Sequence, residues 1–243
     1  MLSNFLRTLS VDLFDWLHPT TCWACHILVK RNNYFCPECL KKLIMTAFSQ
    51  CQQCGAVDSL GKIKAAKCMG CRNKQFSYDE LFYLNEYSGL LRKLILKGKG
   101  KSGEIIMDIL GVILAKDKVQ ELAVTGSEIV TTIPSPWLRN LQRGHNPAAS
   151  LARSFSRTLK LVFIPGILFK GRRATKQTRL SRNQRLEISR GVFREKIPKL
   201  FSGKRIFVVD DVITTGATME AAAKALKIGG AREVIGIVLA RTK

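Results

Sequence analysis

The rhythm of apolar positions changes twice along the 243 residues. Over residues 1–17 (MLSNFLRTLSVDLFDWL), Leu2, Leu6, Leu9, Leu13 and Leu17 recur at helical spacing beside Phe5 and Trp16, with Asp12 and Asp15 interrupting the run. That spacing predicts an amphipathic helix over 1–20. Its polar face is not basic, which suits capping a neighbouring domain better than lying on a membrane. From 21 to 76 the aliphatic rhythm lapses. Beyond it, 78–87 (YDELFYLNEY) and 127–134 (SEIVTTIP) read as strands. Helical spacing runs through Ile95, from Glu104 to Lys116, and from Pro147 to Leu159. Two more strands, 206–210 and 234–240, flank an Ala-rich helix from Ala217 to Lys227. Strands alternating with helices predict an α/β domain, a largely parallel sheet flanked by helices, over 77–243. No uncharged apolar run approaches a membrane span, and no small-residue cleavage site follows the first segment, so a cytoplasmic protein is expected.

What fills 21–76 is cysteine. All eight cysteines fall in Cys-x-x-Cys pairs: Cys22/Cys25, Cys36/Cys39, Cys51/Cys54 and Cys68/Cys71. One tight turn can offer two thiolates to a tetrahedral ion, and two turns complete a four-thiolate zinc site. Four pairs predict two structural zinc ions, with sequential or interleaved pairing both open. His26 is surplus to eight thiolates. Closed sites leave zinc no open position for chemistry. Metal binding would supply the folding energy that a region poor in aliphatic residues lacks.

Charge alters the picture of the second half. The formal net charge is +22, and no Asp or Glu occurs from 129 to 186. Across 139–205 there are 18 Lys/Arg against two acids. Such a field attracts polyanions, nucleic acid above all.

Within the α/β region one segment carries specific chemistry: Phe207-Val208-Val209-Asp210-Asp211-Val212-Ile213-Thr214-Thr215-Gly216-Ala217-Thr218. An apolar strand ends in two carboxylates, and a Thr/Gly turn then opens a helix. Amides and hydroxyls at a helix N-terminus suit a phosphate, and Gly216 is expected to let the backbone approach it closely. Asp210 and Asp211 suit donors and hydrated Mg²⁺ rather than the phosphate itself. The segment therefore calls for a phosphorylated sugar. It is neither a Walker A loop nor a dinucleotide fingerprint.

This segment resembles the PRPP motif of type I phosphoribosyltransferases, and the whole chain resembles the ComF family, which is linked to DNA uptake in natural competence. The resemblance rests on the four Cys-x-x-Cys pairs, Tyr87-x-Gly89 leading to Lys97, Arg143-Gly144-His145-Asn146, the stretch from Arg172 to Phe193, and the PRPP motif. It implies a double zinc ribbon over 21–76 followed by a phosphoribosyltransferase-like domain. By similarity, Asp210 and Asp211 would hold ribose hydroxyls, while Thr214, Thr215, Gly216, Ala217 and Thr218 would hold the 5′-phosphate of phosphoribosyl pyrophosphate (PRPP), with Mg²⁺. Lys97 and Arg143 would face pyrophosphate. Arg172, Thr175, Gln177 and Arg185 match a mobile loop that closes over substrate. The chain departs from the family pattern at His145, Pro147 and Ile188.

Three functions follow as expectations. One is a protein that binds Mg-PRPP and single-stranded DNA and aids DNA import. Its candidate phosphate contacts are Arg139, Arg153, Arg157, Arg173, Arg179 and Arg182, and its candidate stacking platforms are Trp137, His145 and Phe155, each of which could instead be core. Another is an active phosphoribosyltransferase with a small acceptor. The last makes the zinc module an adaptor for proteins of the uptake machinery, which would also bring the protein to the inner membrane.

Overall fold

The computed structural model describes residues 20–30, 33–44, 51–56, 67–126, 128–135, 141–170, 193–195 and 198–242. The expected N-terminal helix lies outside these residues. So do Trp137, Arg139, Arg172, Arg173, Thr175, Gln177, Arg179, Arg182, Arg185 and Ile188. The chain forms two compact units, Met1–Thr46 and Ala47–Lys243.

In the first unit the Cys22–Cys25 turn is closed by two backbone bonds, Cys22 N to Ile27 O at 2.8 Å and His26 N to Cys22 O at 2.9 Å. Thr21 and Leu28 pair across its base in an antiparallel bridge. Helix α1 (Pro37–Leu43) opens at Cys36, whose sulfur accepts the Cys39 amide at 3.4 Å. Trp23 meets Tyr34 edge-on, centroids 5.7 Å apart.

The second unit begins with the same turn. Cys51 N donates to Ala56 O at 2.9 Å and Gly55 N to Cys51 O at 2.7 Å. Gly55, at φ 68°, occupies the left-handed position that His26 holds at φ 62° in the first unit. Helix α2 (Met69–Arg72) follows Cys68.

Then come β1 (Glu80–Glu86), α3 (Gly89–Gly98), α4 (Glu104–Leu122), β2 (Ile129–Thr132), α5 (Pro147–Leu159), β3 (Val162–Phe163), β4 (Leu168–Lys170), β5 (Phe193–Glu195), α6 (Pro198–Phe201), β6 (Arg205–Ile213), α7 (Ala217–Ile228) and β7 (Glu233–Arg241). Five strands form one parallel sheet in the order β1-β7-β6-β2-β3, and β4 pairs with β5 in a separate antiparallel ribbon. The parallel α/β architecture expected from the sequence is the one observed. Helix α4 runs past Lys116 to Leu122. The charged run 116–118 looked like a terminus, but Lys118 is buried and held by Asp117 and Glu121 at 3.2 and 2.9 Å.

Alternation along β6 sends its side chains to two helical layers. Phe207 meets Phe155 of α5 edge-on, centroids 6.3 Å apart. Val208 points the other way with its partner Gly236, where an added Cβ would come within 3.2 Å of Met219 on α7. Helix α5 follows β2 and helix α7 follows β6, so the connections of these adjacent strands leave over opposite faces. The carboxyl ends of β2 and β6 therefore flank the crevice where open α/β sheets place their ligands.

Candidate functional site

Each ribbon gathers its own four cysteines. The sulfurs of Cys22, Cys25, Cys36 and Cys39 lie within 4.8 Å of one another, as do those of Cys51, Cys54, Cys68 and Cys71. Pairing is therefore sequential, which settles the alternative left open by spacing. A tetrahedron with Zn–S bonds of about 2.3 Å has S···S edges of about 3.8 Å. The Cys25–Cys36 and Cys54–Cys68 sulfurs stand 3.7 and 3.8 Å apart. Amides point at the ligand sulfurs as they do around thiolates, Cys36 N to Cys22 at 3.4 Å and Cys68 N to Cys51 at 3.3 Å. Burial raises the Cys22 and Cys51 thiols, but these and neighbouring amide donors outweigh it and bring them down to about 6 and about 7. Both donor sets fit zinc. Exposed His26 stands outside them.

The second constellation sits where β6 gives way to α7. Asp210 and Asp211 lie within the last paired stretch of β6, which runs on to Ile213 and does not end at the carboxylates as the sequence suggested. Thr214, Thr215 and Gly216 then turn the chain into the helix. Asp210 and Thr214 to Thr218 line a small hollow backed by Ile213 and Val238. Gly216 is the N-cap at φ 78°, and the Ala217 amide donates to Thr215 Oγ1 at 3.4 Å. An added Cβ would meet its nearest neighbours at 3.6 Å, ordinary contact. Against its protein neighbours the glycine is thus needed for its left-handed backbone. The amides of the first turn and the exposed hydroxyls of Thr214, Thr215 and Thr218 form a neutral donor set matched to a phosphate.

The carboxylates differ. Asp210 Oδ1 accepts the Asp211 amide at 2.9 Å, and Asp211 Oδ1 accepts Lys99 Nζ at the same site at 2.8 Å. Burial raises the Asp210 carboxyl and the adjacent Asp211 charge adds to it. The amide bond and Lys99 oppose them, leaving Asp210 at about 7. A group balanced near neutrality exchanges its proton for a cation or a donor when a ligand arrives.

Lys99 had no role in the reading of the sequence, which set Lys97 toward pyrophosphate and named no partner for Asp211. Lys97 is exposed on the last turn of α3, two residues from the lysine that reaches Asp211. Arg143 is brought to the same loop indirectly. His145 Nε2 lies 2.9 Å from Gly98 O, and its Nδ1 lies 3.3 Å from Arg143 O. His145 thereby joins the Arg143 segment to the Lys97–Lys99 turn. The alternation Lys97-Gly98-Lys99-Gly100-Lys101 was the available signal for a second cation. Among the other candidates, Phe155 is fully buried against Phe207 and cannot stack on a base. Arg153 pairs with Glu104 at 3.3 Å, and Arg157 is exposed on the same helix.

Two family models match the chain, a double zinc ribbon domain over residues 13–72 and a phosphoribosyl transferase domain over 141–243. Competence protein F of Haemophilus influenzae is 28% identical over 207 residues, 84% of this chain and 88% of that protein. DNA utilization protein YhgH of Escherichia coli K12 is 25% identical over 228 residues, 92% and 98% of the two chains. The chain thus joins a double zinc ribbon to a phosphoribosyl transferase domain, and over most of its length it is similar to a competence protein and a DNA utilization protein. Among solved structures, the glutamine PRPP amidotransferase of B. subtilis overlaps 54% of this chain and 25% of its own, at 24% identity and a TM-score of 0.38. Among the described residues no helix is long and apolar enough to cross a membrane.

Proposed function

We propose that this chain is a ComF-family protein that binds Mg-PRPP and single-stranded DNA and aids the passage of DNA into the cytoplasm during natural transformation. The observation that carries the reading is the junction of β6 and α7, where Asp210, its carboxyl pushed up to about 7 by burial, and Asp211 stand beside a Thr/Gly turn at a helix N-terminus. Asp210 and Asp211 would take the ribose hydroxyls and the hydrated Mg²⁺, and Thr214 to Thr218 the 5′-phosphate. Lys99, Lys97 and Arg143 supply cationic charge for pyrophosphate. Mg²⁺ would neutralise the pyrophosphate and complete the cation balance at the carboxylates. The names of the relatives, competence and DNA utilization, and the acid-free run from 129 to 186 support DNA as the larger polyanion. Arg139, Arg153, Arg157, Arg173, Arg179 and Arg182, with Trp137, are the residues offered for that contact, and the zinc ribbons would dock proteins of the uptake machinery.

Asp210 supports a second reading. A carboxyl at about 7 is placed to move a proton, as an active phosphoribosyltransferase with a small acceptor requires. Anisotropy of a labelled single-stranded oligonucleotide, with and without Mg-PRPP and across a salt series, separates the two. Binding that falls steeply with salt and shifts with PRPP is expected. No binding of the oligonucleotide in either condition refutes the DNA role, and acceptor-dependent pyrophosphate release would then establish the transferase.

A further inference from the structure

We infer that the second zinc site is coupled to the phosphate cradle, with Ser77, Tyr78 and Glu220 as the positioning residues that join them. The inference rests on the reading of β6–α7 as a sugar-phosphate site.

The Cys51–Cys54 turn is bonded to the start of β1 at three points. Leu81 N donates to Gln52 O at 2.8 Å, Gln53 Nε2 to Tyr78 O at 2.7 Å, and Tyr83 Oη to Gly55 O at 2.6 Å. Gln53 is itself buried, so its amide has no water to fall back on. The segment that leaves Cys71 then reaches the first turn of α7. Glu220 accepts the Ser77 amide on both oxygens, at 3.1 and 2.8 Å, and the Ser77 hydroxyl at 2.6 Å. Glu220 N in turn donates to Gly216 O at 2.8 Å, the first bond of the phosphate-facing turn.

Tyr78 lies between these two ends. It is 3% exposed, and its hydroxyl would stand 3.6 Å from a Cβ on Gly216. Its carbonyl accepts Gln53 of the zinc turn while its hydroxyl stands beside Gly216, so one residue spans the zinc site and the helix start. A carboxylate loose at that helix N-terminus would compete with an incoming phosphate for the same positive end. Three contacts from two Ser77 donors, its amide and its hydroxyl, keep it turned toward the ribbon. If the Cys51/Cys54/Cys68/Cys71 site loses its metal, the turn that carries Gln53 loosens, and Tyr78 and Ser77 lose their anchor.

Linkage makes the coupling measurable from either end, because a ligand that tightens the cradle must tighten zinc by the same factor. The test is chelator competition for zinc on the full chain, with and without saturating Mg-PRPP or Mg²⁺ with ribose 5-phosphate. One of the two zinc ions is expected to bind about fivefold or more tightly when the ligand is present. That response persists in Cys25→Ser, which cripples the first site. It shrinks in Ser77→Ala and in Glu220→Gln, while the other zinc binds as in the parent chain. Ligand binding that leaves both zinc affinities unchanged, or that alters only the first site, overturns the coupling and leaves the PRPP reading standing. Failure of PRPP and ribose 5-phosphate to bind the doubly loaded protein overturns both.

Discussion

Asp210→Asn tests the balance of charge in the cradle without any ligand. The Asp210 carboxyl moves from 3.8 to about 7 on folding. An acid whose folded pKa lies above its unfolded value holds more protons folded than unfolded between the two values. Stability is therefore lost as pH rises from about 4 toward 7, and the loss is complete above that window. A shift of about three units corresponds to about 4 kcal/mol at pH 8, an upper bound for a partly exposed group. The neutral Asn avoids that cost. At pH 6 about two units are already spent and at pH 8 about three, so the advantage of Asp210→Asn should grow by about 1.4 kcal/mol between them. In a domain of this size that is about 3–6 °C of melting temperature. Thermal unfolding of the zinc-loaded protein, followed by circular dichroism at pH 6, 7 and 8, reads it directly. This range avoids acid release of zinc. A gap between variant and parent that is the same at all three pH values would mean an ordinary carboxylate, ionised throughout, and would refute the reasoning.

Lys99→Met removes the ammonium 2.8 Å from Asp211, one of the two influences that hold Asp210 down. The pH at which the Asp210→Asn gap develops should then move upward, and an unchanged midpoint would exclude electrostatic contact between the lysine and the pair. Gly216→Ala forces a φ of 78° on an L-residue with no clash behind it. It should cost about 1–2 kcal/mol in urea denaturation, with Gly216→Asn costing less because Asn tolerates that backbone. Gly55→Ala would place a Cβ 2.5 Å from Tyr83 Cε1, on top of an unfavourable φ. It should destabilise the second unit by about 1–3 kcal/mol and weaken zinc at the adjacent site, measured by chelator competition.

Much of this protein was legible from its chain because the relevant signals are local. The Cys-x-x-Cys spacing places two sulfurs on one turn whatever surrounds it. The run from Phe207 to Thr218 carries a buried strand, a carboxylate pair and a helix start within consecutive residues, and the structure keeps them consecutive in space. Asn146 and Pro147 mark the start of α5 where its cap is found. Local signals failed where a charge was bought into the interior by partners, as at Lys118, and where Lys99 met a carboxylate remote in the chain.

The sequence by itself determined which chemistry was available: eight thiolates in four turns, one acidic strand end before a Thr/Gly turn, and a basic run free of acids. Tertiary structure decided how those parts were shared. It assigned the cysteines to sequential clusters, brought Lys99 to Asp211, buried Phe155 as core, and set Ser77 against a carboxylate 143 residues away. The reason is physical. A turn's donors and a motif's spacing are set by covalent geometry. Which ammonium meets which carboxylate, and which carboxyl is left at about 7, depends on where packing removes water.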